Sequence, residues 1–93
     1  MIVGLAACEF LIYDSHSLKE KRAVLQRVMT RLKQKHNVSV AEVDFQDMWQ
    51  RTKIAIAVVS SARVSAEIEL QHAIKFLDSF PEMERTITDI EWL

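Results

Sequence analysis

The sequence predicts an α+β fold, a ferredoxin-like βαββαβ sandwich in which a four-stranded antiparallel sheet carries two helices on one face. Three observations carry the prediction. Two runs, Ile2–Tyr13 and Ile54–Val59, are apolar at both alternating parities apart from Glu9, the pattern of strands covered on both sides. Each run is followed by serine-containing cap chemistry and then by apolar residues at helical spacing. Two further segments, 38–45 and 86–93, alternate apolar with polar residues, as strands at the margins of a sheet do.

After the first strand, Asp14-Ser15-His16-Ser17 supplies turn chemistry, and Ser17 with Glu20 forms a capping box that satisfies amides left free at a helix start. Leu18, Leu25, Val28, Met29 and Leu32 then fall on one helical face, with Arg27, Arg31 and Lys35 pointing away. The stripe stops near His36-Asn37. Val38 and Val40, then Val43 and Phe45, alternate out of phase by one residue, which predicts an edge strand with a bulge near Ala41-Glu42. A polar connection, Gln46 to Lys53, leads into the third strand. Ser60 or Ser61 is the expected cap of a second helix, in which Val64, Ile68, Leu70 or Gln71, Ile74 and Leu77 or Asp78 recur at roughly helical intervals and Pro81 ends the run. Thr86–Leu93 closes the sheet as a second edge strand. Each βαβ crossover is expected to be right-handed, and the two nearly continuous apolar runs place the first and third strands at the centre.

At 93 residues, of which 49% are apolar and 27% charged, the chain predicts a single domain over residues 1–93 and excludes disorder by composition. One cysteine, Cys8, excludes an internal disulfide and any zinc site built from several thiolates. A lone thiol in a central strand reads as a small buried hydrophobe. The N-terminal apolar run is broken by Glu9 and has no basic residues before it, so neither a signal peptide nor a membrane span is expected, and a cytoplasmic location follows. A single glycine, Gly4, leaves no glycine-rich loop for a dinucleotide or a P-loop phosphate. No cofactor and no small-molecule substrate are expected. His16, His36 and His72 lack ligand spacing with each other or with carboxylates, so no metal is expected either.

Two helices cover one face of a four-stranded sheet, yet the first strand is apolar on both: Val3, Leu5, Ala7 and Leu11 on one side, Ile2, Ala6, Cys8, Phe10 and Ile12 on the other. A contiguous apolar face of that size predicts a homo-oligomer or a stable partner. The other reading is that small residues such as Ala6, Ala55 and Ala57 tolerate water.

Charge is distributed unevenly. Residues 17–36 hold Lys19, Lys21, Arg22, Arg27, Arg31, Lys33 and Lys35 against the single acid Glu20, a local charge of +6, and the remainder stands at −7 to give −1 in total. A basic helix on a small domain is an electrostatic footprint for a phosphate backbone, RNA above all. Arg31, Lys33 and Lys35 lie near the helix C-terminus, where the macrodipole favours cations and stability alone explains them. Lys19, Lys21 and Arg22 lie in the first turns, where the dipole opposes them, so a bound anion or acidic neighbours must compensate. Pairing of Lys21 and Arg22 with acids of the same fold, their stems covering apolar surface, is the structural alternative. In the connection between strands, Trp49 beside Arg51 can stack an unpaired base, or Trp49 can fold back to close the end of the core. The third strand carries no aromatic residue, which argues against base reading on the sheet. The candidate RNA-binding residues are therefore Lys19, Lys21, Arg22, Arg27, Arg31, Trp49 and Arg51.

The strings Ser-Leu-Lys-Glu-Lys-Arg at 17–22, His-Asn-Val-Ser-Val-Ala-Glu-Val at 36–43 and Trp-Gln-Arg-Thr at 49–52 resemble the YlxP-like family of small bacterial proteins, over essentially the whole chain. The resemblance implies a ferredoxin-like fold, a bacterial cytoplasmic protein and a gene neighbourhood of translation and ribosome-maturation factors. It implies no catalytic residues. An acylphosphatase-like enzyme would need an arginine-bearing phosphate loop between the first strand and first helix, and Asp14–Ser17 has none. Ser15 or Ser17 with His16 lacks an orienting group for nucleophilic catalysis. The sequence thus reads as a non-catalytic accessory factor that binds RNA or a ribosomal particle, in ribosome assembly or translation. A protein-interaction module that uses the uncovered sheet face is the alternative.

Overall fold

A computed structural model describes residues 1–93 and places six elements in the order β1 (Ile2–Leu11), α1 (Leu18–Lys35), β2 (Ser39–Asp44), β3 (Arg51–Ser60), α2 (Arg63–Asp78) and β4 (Glu84–Trp92). The strands form one antiparallel sheet ordered β2-β3-β1-β4, with both helices on one side, so the fold is the ferredoxin-like sandwich and its two apolar strands are central. No helix is long and apolar enough to cross a membrane.

The alternation along β1 and β3 divides the sheet sharply. Ala6, Cys8 and Phe10 of β1, with Ile54, Ile56 and Val58 of β3, are buried under Leu25, Val28 and Leu32 of α1 and Leu70, Ala73, Ile74 and Leu77 of α2 in one cluster of 17 residues. Burial pushes the Cys8 thiol up from its usual range, consistent with its place in that cluster. Gly4 faces the same layer at a close approach. A Cβ there would lie 2.7 Å from the Trp92 ring and 2.9 Å from Leu70, so only glycine lets the edge indole pack this close to the β1 backbone.

Local chemistry explains the element ends. Ser17 caps α1, its hydroxyl accepting from the Glu20 amide at 3.0 Å, while the Glu20 carboxylate reaches one residue further back than expected and accepts from the His16 amide at 2.6 Å. The β2 bulge falls at Val43, where the register passes from Glu42↔Ile54 to Asp44↔Lys53, one residue beyond the expected Ala41-Glu42. Phe45 follows with φ of 60°, a left-handed conformation unusual for an aromatic residue. β3 begins at Arg51 and β4 at Glu84, both earlier than alternation indicated. A second register shift lies between Cys8 and Phe10 on the β1–β4 side.

Helix α2 departs most from the sequence reading. Neither Ser60 nor Ser61 is its cap. The N-cap is Ala62, with no side-chain bond to the first turn, and the Ser60 hydroxyl instead accepts from the Ala62 amide at 3.2 Å. Val64 and Ile68 are exposed, because the buried stripe runs through Ala66, Leu70, Ala73, Ile74 and Leu77. The alanines give a shallow surface on which α2 approaches the sheet closely, and the larger residues at 64 and 68 fall on the far side.

Candidate nucleic-acid interface

The core stripe of α1 contains a cation. Lys21 is in helical phase with Leu25, Val28 and Leu32 and is 1% exposed. Its ammonium pairs with Glu42 of β2 at 2.9 Å and donates to the Phe45 carbonyl at 2.6 Å. Glu42 in turn accepts from the Thr52 hydroxyl at 2.6 Å. This cation therefore has no access to a phosphate, which corrects the RNA-binding expectation for Lys21 in favour of the structural alternative, pairing with an acid of the same fold: it ties the first turn of α1 to the β2–β3 connection, and holds the carbonyl of the one residue with positive φ.

Arg51 is similarly committed. Its guanidinium bonds Glu9 at 2.7 Å and lies 3.9 Å from the centroid of the Phe45 ring, an ion pair and a cation–π stack that together hold it at the end of the sheet. Gln50 completes the connection, its side-chain amide donating to the carbonyls of Tyr13 and Ser15 at 3.0 Å each. Trp49 does not fold back over the core. It is 53% exposed and, with Leu11, His16 and Met48, lines a shallow groove of about 520 Å³. Trp49 is thus free for stacking, and Arg51, 41% exposed and lining the same groove, stands beside it with its guanidinium already held by Glu9 and Phe45.

Apart from Lys19 in the first turn, the remaining α1 cations sort into two stripes on either side of the exposed Ala23, Gln26, Thr30 and Gln34. On the β2 side, Arg22 and Lys33 border a small groove with Met29 and Glu42. On the α2 side, Arg27, Arg31 and Lys35 follow one another at intervals of four along a groove of about 700 Å³, closed opposite by Phe76, Ser79, Phe80, Pro81 and Glu82. Glu82 pairs with Arg27, and that hydrogen bond holds the Glu82 carboxyl below the usual carboxylate range. Lys35 lies 5.7 Å from the Phe76 centroid, and the groove continues past it to Lys75 and His72. Lys19, Arg22, Arg31, Lys33, Lys35 and Lys75 make no ion pair within the chain.

Charge counting along α1 missed Lys75, which sits in the last turn of the other helix within the acidic remainder of the sequence. Its position near α1 depends on helix–helix packing. The fold keeps Trp49 apart from this groove: Lys21 anchors the connection at the start of α1, and Arg31 and Lys35 lie about 15–20 Å further along the helix axis at 1.5 Å per residue. No group of three or more His, Cys, Asp or Glu side chains is placed to hold a metal ion.

Comparisons agree with the architecture and give the family. A de novo designed protein, Foldit4, superposes with a TM-score of 0.55 over 100% of this chain and 97% of its own at 10% identity, a likeness of fold alone. The uncharacterized protein YlxP of Bacillus subtilis (strain 168) is 59% identical over 91 residues, covering 98% of this chain and 99% of its own. A family model described as a protein of unknown function (DUF503) matches residues 3–90, and with that relative it shows that the chain belongs to this YlxP-like family.

Proposed function

We propose that the protein is a non-catalytic cytoplasmic factor that binds the backbone of RNA, alone or in a ribosomal particle, in the service of ribosome assembly or translation. One observation carries the reading: the groove between α1 and α2 gathers Arg27, Arg31, Lys35 and Lys75 from two helices, and only Arg27 has a carboxylate partner. Cations near two helix C-termini gain from the macrodipole, which stabilises each alone but not their convergence on a shared groove. With a net charge of −1, long-range attraction to a polyanion is weak, so binding rests on local contacts in this groove. Lys19 in the first turn of α1, with Arg22 and Lys33 on its β2 side, extends the field, and Trp49 offers a separate stacking surface at the other end.

The reading is tested by anisotropy titrations of a labelled single-stranded RNA at several salt concentrations. Replacing Arg31, Lys35 and Lys75 with glutamine weakens binding and lowers the slope of log affinity against log salt by about 0.7 per lost phosphate contact. The circular dichroism spectrum stays that of the parent, because all three side chains are exposed and make no ion pair. Affinity and slope equal to the parent's would refute the assignment.

A further inference from the structure

We infer that the open face of the sheet is the interface of a two-fold symmetric dimer of this chain. The face presents Val3, Leu5, Ala7, Glu9 and Leu11 on β1 and Arg51, Lys53, Ala55, Ala57 and Val59 on β3, alternate to the residues buried under the helices. Val43 of β2 and Ile87 of β4 are each 48% exposed, Val59 is 66% exposed and Leu93 is 73% exposed. No element of the chain packs on this side.

The pattern on the face selects both the occupant and its orientation. The register pairs Leu5 with Ala57, Ala7 with Ala55 and Glu9 with Lys53. A two-fold axis that runs along the strands between β1 and β3 sets each β1 residue of one copy over the β3 residue of the other. Leu5 then meets Ala57, Glu9 meets Lys53, and the exposed Ile87 meets the region of Val43. Asp89 and Glu91 of β4 fall over Ala41 and Ser39 of β2, with which they share register positions through Ala7–Ala55 and Leu5–Ala57. An axis across the strands instead stacks Asp89 on or near Asp89 and brings Leu5 over Glu9, setting like charges together and a carboxylate on an apolar side chain. Of the two, the first brings opposite charges together at Glu9 and Lys53, sets Leu11 over an Arg51 whose guanidinium is already held by Glu9 of its own chain, and keeps the strands of the two sheets nearly aligned, as face-to-face sheets pack.

Four strands about 4.8 Å apart and up to ten residues long present a footprint of about 600 Å² per copy. That approaches the roughly 800 Å² per partner of a standard interface and falls at the small end, where associations are weak and reversible. Both basic grooves remain on the outer surfaces of such a dimer, because the helices lie on the other side of each sheet.

Analytical ultracentrifugation over a dilution series decides the matter. The parent sediments at twice 10.8 kDa at high concentration and shifts toward 10.8 kDa on dilution. Ala57→Arg, which sets a guanidinium against the partner's Leu5, and Lys53→Glu, which opposes the partner's Glu9, each weaken association by on the order of a hundredfold, with unchanged circular dichroism. A mass of 10.8 kDa at every concentration overturns the inference. So does a dimer that survives both substitutions, since it is joined through an edge strand or the helical layer.

Discussion

Replacement of Lys21 with methionine lowers the stability of the domain by about 3–5 kcal/mol, the range for breaking a buried ion pair. Most of that loss comes from what remains behind. Glu42, whose side chain is 16% exposed, keeps its charge without a counter-ion, and the Phe45 carbonyl loses its donor. The left-handed backbone at Phe45 then has one restraint fewer. Glutamine at Lys19 or Arg22, one or two residues away on exposed positions, changes stability by no more than about 0.5 kcal/mol. Urea unfolding of the three variants makes the comparison within one helix. Pairing Lys21→Met with Glu42→Leu recovers much of the loss, because the uncompensated carboxylate goes with it. If Lys21→Met unfolds at the parent's midpoint, the buried pair is not a structural tie.

Truncation of Phe10 to alanine is comparably damaging, at about 3–5 kcal/mol, because the ring is 0% exposed and leaves a cavity that its neighbours cannot fill. Its neighbour Leu11 points to the open side of the sheet and is only half-buried. Leu11→Ala in the monomer costs roughly 1 kcal/mol, in proportion to the smaller apolar area it withdraws from water. Denaturant midpoints for the two variants report directly on which parity of β1 the helices cover. Equal losses at positions 10 and 11 would contradict the one-sided sandwich.

The architecture was legible because the two central strands and α1 are locally consistent: the apolar runs, the Ser17 cap and the stripe through Leu25, Val28 and Leu32 all point to one fold. Where reading failed, the deciding contacts were long-range or carried by small residues. Lys21 shares the phase of that stripe and could have been recognised from it. Its partners Glu42 and Phe45 lie more than twenty residues away, however, and a lysine at a core position invites a surface reading. In α2, Ala66 and Ala73 form the buried face while Val64 and Ile68 are outside, an inversion of size that apolar periodicity alone does not detect. Trp49 offered two readings of equal sequence support, and only the course of the 45–50 connection, held by Lys21 and Gln50, leaves the indole in solvent. The candidate groove lay half in view: Arg27, Arg31 and Lys35 follow from helical spacing, whereas Lys75 joins them only through the packing of α2 beside α1.

A nuclear magnetic resonance titration of the isotope-labelled protein with single-stranded RNA at low salt locates the RNA contact on the surface without altering a residue. Binding in the groove between the helices shifts Arg31, Gln34, Lys35, Lys75 and Ser79 most, with the shifts fading as salt is raised, while the buried positions of β1 and β3 stay still. Shifts confined to the open sheet face, or none at millimolar RNA and low salt, would contradict it.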